Sequence, residues 1–490
     1  MWKRRLRSLW GASAAAAGGL LLVAAATAGC SVNPATGKRQ LALIGEQQEI
    51  AMGREADGQI SRQLGLYDDE AIQSYVAALG ARLAAQSERP HLPWTFRVVD
   101  DEVVNAFALP GGFIYVTRGI LTHMGSEAEL AGVVGHEIGH VTARHGVSQM
   151  SKSMLAQIGL GVGSVLSPEV ANLAGLAESG LGLLFLKYGR DDERQADELA
   201  VRYAVRTGYD PRAMVDVFDL LGRVSAGATG SGDLPGWLLT HPDPGARREE
   251  TSKRVAALEV DLDDLSSEPE TLLRRIDGMV YGADPRQGYF RDDLFLHPEL
   301  AFELRFPAGW RNLNMRQAVV AQQPNGEAVV ALTLTAEGDA ASAARAFAGQ
   351  GVTVGREWRD RVGGQRAVSY YFTADLQGTA IGGLALFLEH GGRVFRVLGY
   401  TTAERFDAYH QAFERALGSF RRLEDRRVLA VQPLRLQVRP LERASTIAEL
   451  ARSWRPPVTA EELSLLNNVE LDERLERGVL VKRVVGEPPP

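Results

Sequence analysis

A single cysteine, Cys30, stands in a chain of 490 residues, so no intramolecular disulfide can form. The fold must hold by burial, which a chain of this length can supply. Long Lys/Arg tracts are also missing, and the formal net charge is -7. The basic footprint of a nucleic-acid partner is absent, and no such partner is expected. The Gly/Ala/Leu-rich stretch 154–186 lacks an unbroken apolar run, because Ser167, Pro168, Glu169, Asn172, Glu178 and Ser179 interrupt it. Spanning a bilayer takes about 20 apolar residues. Buried helices or a flap over a functional site are expected there, with a membrane-touching hairpin as the alternative. What is present fits a globular protein, with 45% hydrophobic and 23% charged residues. At roughly 150 residues per core, two to four domains are expected.

Lys3, Arg4, Arg5 and Arg7 form a basic head, and an apolar stretch runs over about 9–26. Ala28 and Gly29 then precede Cys30. This is the pattern of an export signal over residues 1–30. Its end resembles a lipobox, whose cysteine is lipidated and becomes the mature N-terminus. Thr27 stands where that pattern usually has Leu. A plain N-terminal membrane anchor is the competing reading. Lipidation at Cys30 implies attachment to a membrane through the lipid and a periplasm-facing place in the cell envelope. Ser31 is not the Asp that retains such proteins in the inner membrane, so the outer membrane is favoured.

Residues 31–45 read as a polar tether. Helical periodicity follows at about 46–64 and 69–86, where Ile72, Tyr75, Val76 and Leu79 share a face. Residues 94–99 alternate like a strand, and 113–116 read as another after Gly111 and Gly112. Gly and Ser over 225–236 suggest a loop. A first domain is expected over 31–280, followed by a linker at 281–289. A second, α+β domain is expected over 290–425. Its strand candidates are 302–306, 329–334, 367–372, 383–389 and 394–400, with a hairpin turn at 324–326 and a helix at about 403–420. No catalytic cluster is evident in it. A small third unit, 432–486, has the order strand, helix, helix, strand. This βααβ tail resembles a LysM glycan-binding module in Val438-Arg439-Pro440, Thr446-Ile447-Ala448, Asn467 and Gly478. Arg443-Ala444-Ser445 replaces the Gly-Asp-Thr usual there, so a structural cap competes with peptidoglycan binding.

The chemistry is concentrated near residue 136. Ser126-Glu127-Ala128-Glu129 has the form of a helix capping box. Leu130, Val133, Val134, Ile138 and Val141 recur near a 3.6 period, and Gly146 is expected to stop this helix. His136 and His140 then lie one turn apart on one face, a spacing at which two imidazole nitrogens can meet one zinc ion. Glu137 is rotated about 100° from His136. It flanks such a metal, where a base must stand to take a proton from a water on it. Gly132, Gly135 and Gly139 sit in the same helix, each costing about 1 kcal/mol relative to Ala. Close approach by another backbone or a substrate would explain them, as would tight packing of a buried helix.

A second helix opens at Asp191-Asp192-Glu193-Arg194-Gln195-Ala196-Asp197. Ala196, Leu199, Ala200, Tyr203 and Ala204 form its apolar stripe, and Gly208 and Pro211 end it. Glu193 as third ligand would complete a two-His, one-carboxylate site with an open position. Asp197, one turn on, could accept the other N–H of a ligating His. A solvated acidic helix start is the plain alternative.

Together these motifs resemble the HtpX-type and BepA-type zinc endopeptidases, peptidase family M forty-eight. The matching residues are Asn105-Ala106-Phe107-Ala108-Leu109-Pro110-Gly111-Gly112, residues 115–121 and 135–140, Arg144-His145, Glu193-Arg194-Gln195-Ala196-Asp197, and Thr240-His241-Pro242 with Arg247. Asn33-Pro34-Ala35-Thr36-Gly37 is similar to exported lipoprotein members. The resemblance covers about 30–254. It implies an α+β chain whose first domain is a mainly helical, zincin-type (gluzincin-like) protease with a small sheet. It implies one Zn²⁺ per chain on His136, His140 and Glu193, with Glu137 as general acid and base. It further implies a protein or peptide substrate pairing with an edge strand at Asn105-Ala106-Phe107.

The resemblance also places His241 at the metal cleft. There, helped by Arg247, it could donate to the developing oxyanion. It could instead occupy the metal's open position in a resting state, and a buried core histidine is a third reading. The helical-repeat tail that BepA-like relatives often carry is not seen in the sequence. The expected function is zinc-dependent hydrolysis of peptide bonds in envelope proteins, in quality control. Two other classes compete. One is a catalytically silent, lipid-anchored scaffold or chaperone with structural zinc and His241 as fourth ligand. The other is a cell-wall-binding lipoprotein that relies on the tail.

Overall fold

The computed structural model describes residues 30–159, 187–228, 237, 240–376 and 378–490. The export signal lies outside the described residues up to residue 29, as do most of the apolar stretch 154–186 and of the loop at 225–236. Contacts divide the chain into two compact units, 1–279 with 436–484, and 280–435 with 485–490. The tail, expected as a unit of its own, groups with the first unit.

In the first unit, β1 (Cys30–Val32) pairs antiparallel with β2 (Arg39–Leu41). The segment read as a polar tether is therefore docked. Gln40 Nε2 donates to the Ala143 carbonyl at 3.0 Å, and the Leu43 amide donates to Ser151 Oγ at 2.9 Å. Next come α1 (Glu46–Gln63) and α2 (Glu70–Ala84). The Asp69 carboxylate caps α2 by accepting from the Ala71 and Ile72 amides. Strands β3 (Thr95–Val99), β4 (Ala106–Leu109) and β5 (Phe113–Thr117) form a sheet with β5 in the middle. β3 runs parallel to β5 and β4 antiparallel, so β4 is an edge strand of this sheet.

α3 (Arg118–His123) leads into α4 (Glu127–Thr142), the motif helix, every residue of which is buried. Ser126 Oγ accepts the Glu129 amide at 3.1 Å, and Glu129 Oε2 accepts the Gly125 amide at 2.8 Å. The cap forms, with Glu129 reaching one residue further back than a capping box requires. The end of α4 differs from the expectation. It stops at Thr142, Arg144 takes a left-handed φ of 60°, and α5 (His145–Gly159) starts at once. Gly146 lies inside α5 and stops nothing.

α6 (Arg190–Arg206), α7 (Ala213–Ala228), α8 (Pro244–Ala256) and α9 (Pro269–Ile276) complete the helical layer. The glycines of α4 now have a cause. A Cβ on Gly139 would stand 3.1 Å from both Cα and the carbonyl oxygen of Ala196, and one on Gly135 would stand 3.4 Å from Cα of Ala200. A third, on Gly132, would meet Met214 Sδ at 3.0 Å. The neighbouring backbone of α6 is what approaches, and only hydrogen leaves room for it at Gly139.

In the second unit, β6 (Tyr289–Arg291), β7 (Leu294–His297) and β8 (Phe302–Arg305) form an antiparallel meander. A larger antiparallel sheet contains β9 (Arg311–Met315), β10 (Ala318–Gln322), β11 (Ala328–Leu334), β12 (Thr353–Val362), β13 (Gln365–Leu376), β14 (Thr379–His390) and β15 (Arg393–Thr402). Its strand order is β12-β13-β14-β15-β11-β10-β9. Side-chain alternation gives the sheet two apolar faces. α10 (Ala340–Ala348) covers one, packing Phe347 with Tyr370, Phe372 and Phe387. α11 (Phe406–Leu417) covers the other, packing Phe413 and Leu417 with Leu384, Leu386 and Val397.

The tail has β16 (Arg435–Pro440), β17 (Ser445–Thr446), α12 (Ile447–Trp454), α13 (Ala460–Asn467), β18 (Arg474–Leu475) and β19 (Leu480–Val485). Both helices carry true capping boxes, Thr446 with Glu449 and Thr459 with Glu462. Lys482 joins the tail to the motif region. Its buried ammonium donates to the carbonyls of Thr122, His123 and Met124 at 3.1, 3.0 and 3.0 Å. These are the last orphan carbonyls of α3, so a cation from the tail caps the helix that precedes α4.

Candidate metal centre

The close crossing of α4 and α6 brings His136 and His140 against Glu193 and Asp197. Helix α8, capped by Asp243, holds Arg247 in its first turns, and His241 lies just before it. Donor atoms of His136, His140, Glu193 and His241 all lie within 4.8 Å of one another, and the four residues are buried. His136 Nε2 is 3.0 Å from His140 Nε2 and 3.3 Å from His241 Nδ1. Glu193 Oε2 is 3.5 Å from His136 Nε2, and its Oε1 is 3.6 Å from His140 Nε2 and 3.0 Å from His241 Nδ1.

Around this core the carboxylates are held. Asp197 Oδ1 takes His136 Nδ1 at 2.9 Å. The proton of His136 therefore sits on Nδ1, and its Nε2 lone pair faces the cluster. Arg247 donates from Nη2 and Nε to the two Asp197 oxygens at 2.6 and 2.9 Å, and its Nη1 lies 2.8 Å from Glu193 Oε2. Its guanidinium also sits over the Phe218 ring at 4.7 Å. Tyr188 stacks on His140 with ring centroids 3.9 Å apart, and Trp237 stacks on His241 at 4.3 Å.

Electrostatics follow from this burial. Burial pushes the Glu137 carboxyl above its ordinary value, with His241 and His136 opposing and Glu193 adding to the rise. Burial also holds His140 well below its ordinary value, in the neutral form that ligates metals. Glu193 is opposed by burial, yet His241 and Arg247 bring it below its ordinary value. His241 is held up by Glu193 and Glu137 against the opposing effect of burial.

Two observations test whether a cation fits. Both Glu137 oxygens are buried without a hydrogen-bond partner among the described residues, the nearest ion-pair contact being His241 Nε2 at 3.6 Å. Glu137, Glu193 and Asp197 are three buried carboxylates, and the cationic groups facing them are the Arg247 guanidinium and His241, which Glu193 and Glu137 draw toward its charged form. Uncompensated buried charge is costly. A divalent cation balances it, and the two-imidazole, one-carboxylate set suits zinc.

The other candidates fall as follows. Ala106 and Phe107 are buried in β4, where the Phe107 ring stacks on Tyr115 at 4.8 Å. Asn105 immediately precedes β4, and its Oδ1 is buried with no hydrogen-bond partner among the described residues. A small cavity is lined jointly by Ala108, Leu109 and Pro110 and by His140 and Tyr188, so the far end of β4 is the part that borders the cluster. Cys30 opens β1.

Four residues of this region had no role in the sequence reading. His145 Nδ1 lies 3.0 Å from His140 Nδ1, and His145 Nε2 lies 2.9 Å from Gln195 Oε1. Burial holds His145 below its ordinary value, with Asp192 opposing. His145 and Gln195 sit inside recognised motifs, which was the available signal. Only the left-handed turn at Arg144 shows that His145 faces back toward His140. Tyr188 and Trp237 carried no motif at all.

Residues 70–255 match the sequence model of peptidase family M48. The chain is similar to the beta-barrel assembly-enhancing protease of Yersinia pestis, 31% identical over 261 residues, 51% of this chain and 52% of that protein. It is similar to the mitochondrial metalloendopeptidase OMA1 of Arabidopsis thaliana, 32% identical over 220 residues, 44% of this chain and 43% of that protein. The Escherichia coli (strain K12) beta-barrel assembly-enhancing protease is 29% identical over 217 residues, 42% of this chain and 44% of that protein. The chain thus spans about half the length of the curated relatives it matches. The stretch that matches the peptidase family M48 model contains all of the cluster, His136, Glu137, His140, Glu193, His241 and Arg247.

Proposed function

We propose that this protein is a zinc-dependent endopeptidase of the bacterial cell envelope. The observation that carries the reading is the buried His136, His140 and Glu193 cluster beside a Glu137 carboxylate with no hydrogen-bond partner among the described residues. His136, His140 and Glu193 would hold the zinc. Bound there, zinc supplies Lewis acidity toward a peptide carbonyl and lowers the pKa of a water. Glu137, raised by burial, takes the proton and later delivers it to the leaving amine. Asp197 keeps His136 in its ligating tautomer. Arg247 reads as a positioning residue, because its Nη2 and Nε donate to Asp197 and its Nη1 faces the Glu193 carboxylate as an ion pair at 2.8 Å.

His241 reads as a resting-state ligand. Its Nδ1 lies among the donor atoms of His136 and Glu193, which supports a gate over an oxyanion donor. His241→Ala should then raise cleavage, self-cleavage included, whereas an oxyanion donor would cost roughly 10²–10³ in kcat. The outer edge of β4, beginning at Ala106 and Phe107 and preceded by Asn105, pairs with no other described strand, which supports pairing with an extended peptide there. Among the described residues no helix is long and apolar enough to cross a membrane. Attachment is assigned to lipid on Cys30, with the outer membrane favoured, and the intact mass of the mature protein tests it. Substrates are envelope proteins and the role is quality control, a reading supported by likeness to a beta-barrel assembly-enhancing protease. The tail reads as a structural cap through Lys482. A catalytically silent scaffold is the second reading, because His241 would bring the protein ligands to four.

The test is zinc content and casein cleavage in wild type and Glu137→Gln. Wild type should cleave, and the variant should lose about 10²–10⁴-fold while keeping its zinc. Near-normal turnover in the variant would sink the mechanism. A wild type that holds zinc without cleaving would select the scaffold.

A further inference from the structure

The second nitrogen of His140 leads away from the cluster along a chain of hydrogen bonds, and the chain ends at backbone groups whose roles are fixed. At its far end is Asn33, one residue past β1. The Ala35 amide donates to Asn33 Oδ1 at 2.9 Å. An amide N–H can only donate, so the Asn33 oxygen is identified and its Nδ2 must point the other way. Gln40 Nε2 donates to the Ala143 carbonyl at 3.0 Å, which makes Gln40 Oε1 an acceptor. Asn33 Nδ2 donates to that oxygen at 3.1 Å and to Gln195 Oε1 at 3.2 Å.

From Gln195 the logic runs inward. Its Oε1 faces Asn33 as acceptor, so His145 Nε2, 2.9 Å from the same oxygen, carries a hydrogen. His145 Nδ1 then offers a lone pair to His140 Nδ1 at 3.0 Å, and His140 Nδ1 must carry the hydrogen. The lone pair of His140 is left on Nε2, 3.0 Å from His136 Nε2. That nitrogen is the one a metal needs. Asn33, His145 and His140 are all buried, and Gln195 is half-buried.

We propose that Asn33 is a positioning residue of the metal centre: it orients Gln195, which through His145 holds His140 in the tautomer that presents Nε2 to zinc. The inference rests on the zinc reading above. It makes the hairpin next to Cys30 part of the site's outer support, where partners of ligating histidines typically contribute 10–100-fold in metal affinity. A plain turn role for Asn33 is the competing account, since its Oδ1 also closes the turn onto Ala35.

Asn33→Asp separates the two. It keeps an oxygen for the Ala35 amide but replaces the donor with a second acceptor. Gln195 must then turn its own NH₂ toward residue 33, which withdraws Oε1 from His145. Zinc affinity is measured on the full chain by chelator competition, and the visible absorption of the Co²⁺ form is recorded. Asn33→Asp and Asn33→Ala should each weaken zinc by about 10-fold or more and shift the Co²⁺ bands. Thr36→Ala, which alters the same turn at its contact with the Lys38 amide, should match wild type. Unchanged affinity and spectrum in both folded Asn33 variants would overturn the proposal, as would an equal loss in Thr36→Ala. A wild type that binds no zinc would instead fail the reading on which this one rests.

Discussion

Glu49 and Glu137 are both buried carboxylates of the first unit, 1% and 0% exposed, but they are finished differently. Glu49 Oε1 accepts from Arg89 Nη1 at 2.9 Å and from the Gly111 amide at 3.2 Å. Its Oε2 accepts from Arg89 Nη2 at 3.1 Å and from Arg144 Nε at 3.0 Å. Arg89 reaches on to Glu46, so two guanidinium groups face two carboxylates and the cluster is neutral within itself. Glu137, Glu193 and Asp197 surround one guanidinium, the His136 and His140 rings converge beside them, and both Glu137 oxygens are without a hydrogen-bond partner among the described residues. Burying charge is therefore not the mark of the site. Leaving it unbalanced and unpartnered is, because that costs energy until a cation or substrate supplies what is missing.

The largest effect expected from this contrast is at the unbalanced cluster. His136→Ala and Glu193→Ala should each lose both zinc and proteolysis, read by elemental analysis and casein cleavage. Full zinc in the Glu193 variant would move the third ligand elsewhere. At the balanced cluster the effect should be on folding. Glu49→Ala leaves Arg89 and Arg144 buried without their carboxylate and should cost about 3–5 kcal/mol in urea unfolding. Its folded fraction should keep its zinc, and a folded variant without metal would erase the distinction.

A smaller effect tests how the site is assembled. Gly139→Ala puts a Cβ 3.1 Å from the α6 backbone at Ala196, three residues from Glu193. Overpacking of this kind costs about 1–3 kcal/mol. It should also weaken zinc, because α6 must move away from the two histidines. Gly58→Ala in α1 meets only Arg62 Nη1 at 3.5 Å and should stabilise by up to about 1 kcal/mol. The smallest effect is expected at the surface. Arg194 pairs with Asp191 at 2.7 Å, but the side chains are 48% and 92% exposed. Arg194→Ala should change stability by about 0–1 kcal/mol and leave zinc content alone, although it neighbours Glu193.

Much of the fold was legible where its cause is local. The alternation of β3, the short apolar run of β5 and the apolar stripes of α2 and α6 follow from residues a few positions apart. β12 was not legible. Nearly all of its ten residues are exposed, so neither face has an apolar pattern to read. The segment 31–45 was misread as a tether for a related reason. Asn33 and Gln40 hold it by hydrogen bonds, and polar residues that dock look the same in sequence as polar residues that are solvated.

The sequence by itself determined the reactive centre's local half. A capped α4 with a 3.6 period puts His136 and His140 on one face and Glu137 beside them, and the i, i+4 spacing of α6 puts Glu193 with Asp197. Only the tertiary structure decided how those halves are held. The left-handed break at Arg144 turns His145 onto His140, Asn33 reaches Gln195 across 162 positions, and Lys482 caps a helix 359 or so residues earlier. Periodicity encodes which face a residue occupies within its own element. It carries no information about which distant polar group will meet that face, because such a pairing is set by the packing of whole elements and by the need to satisfy every buried donor and acceptor.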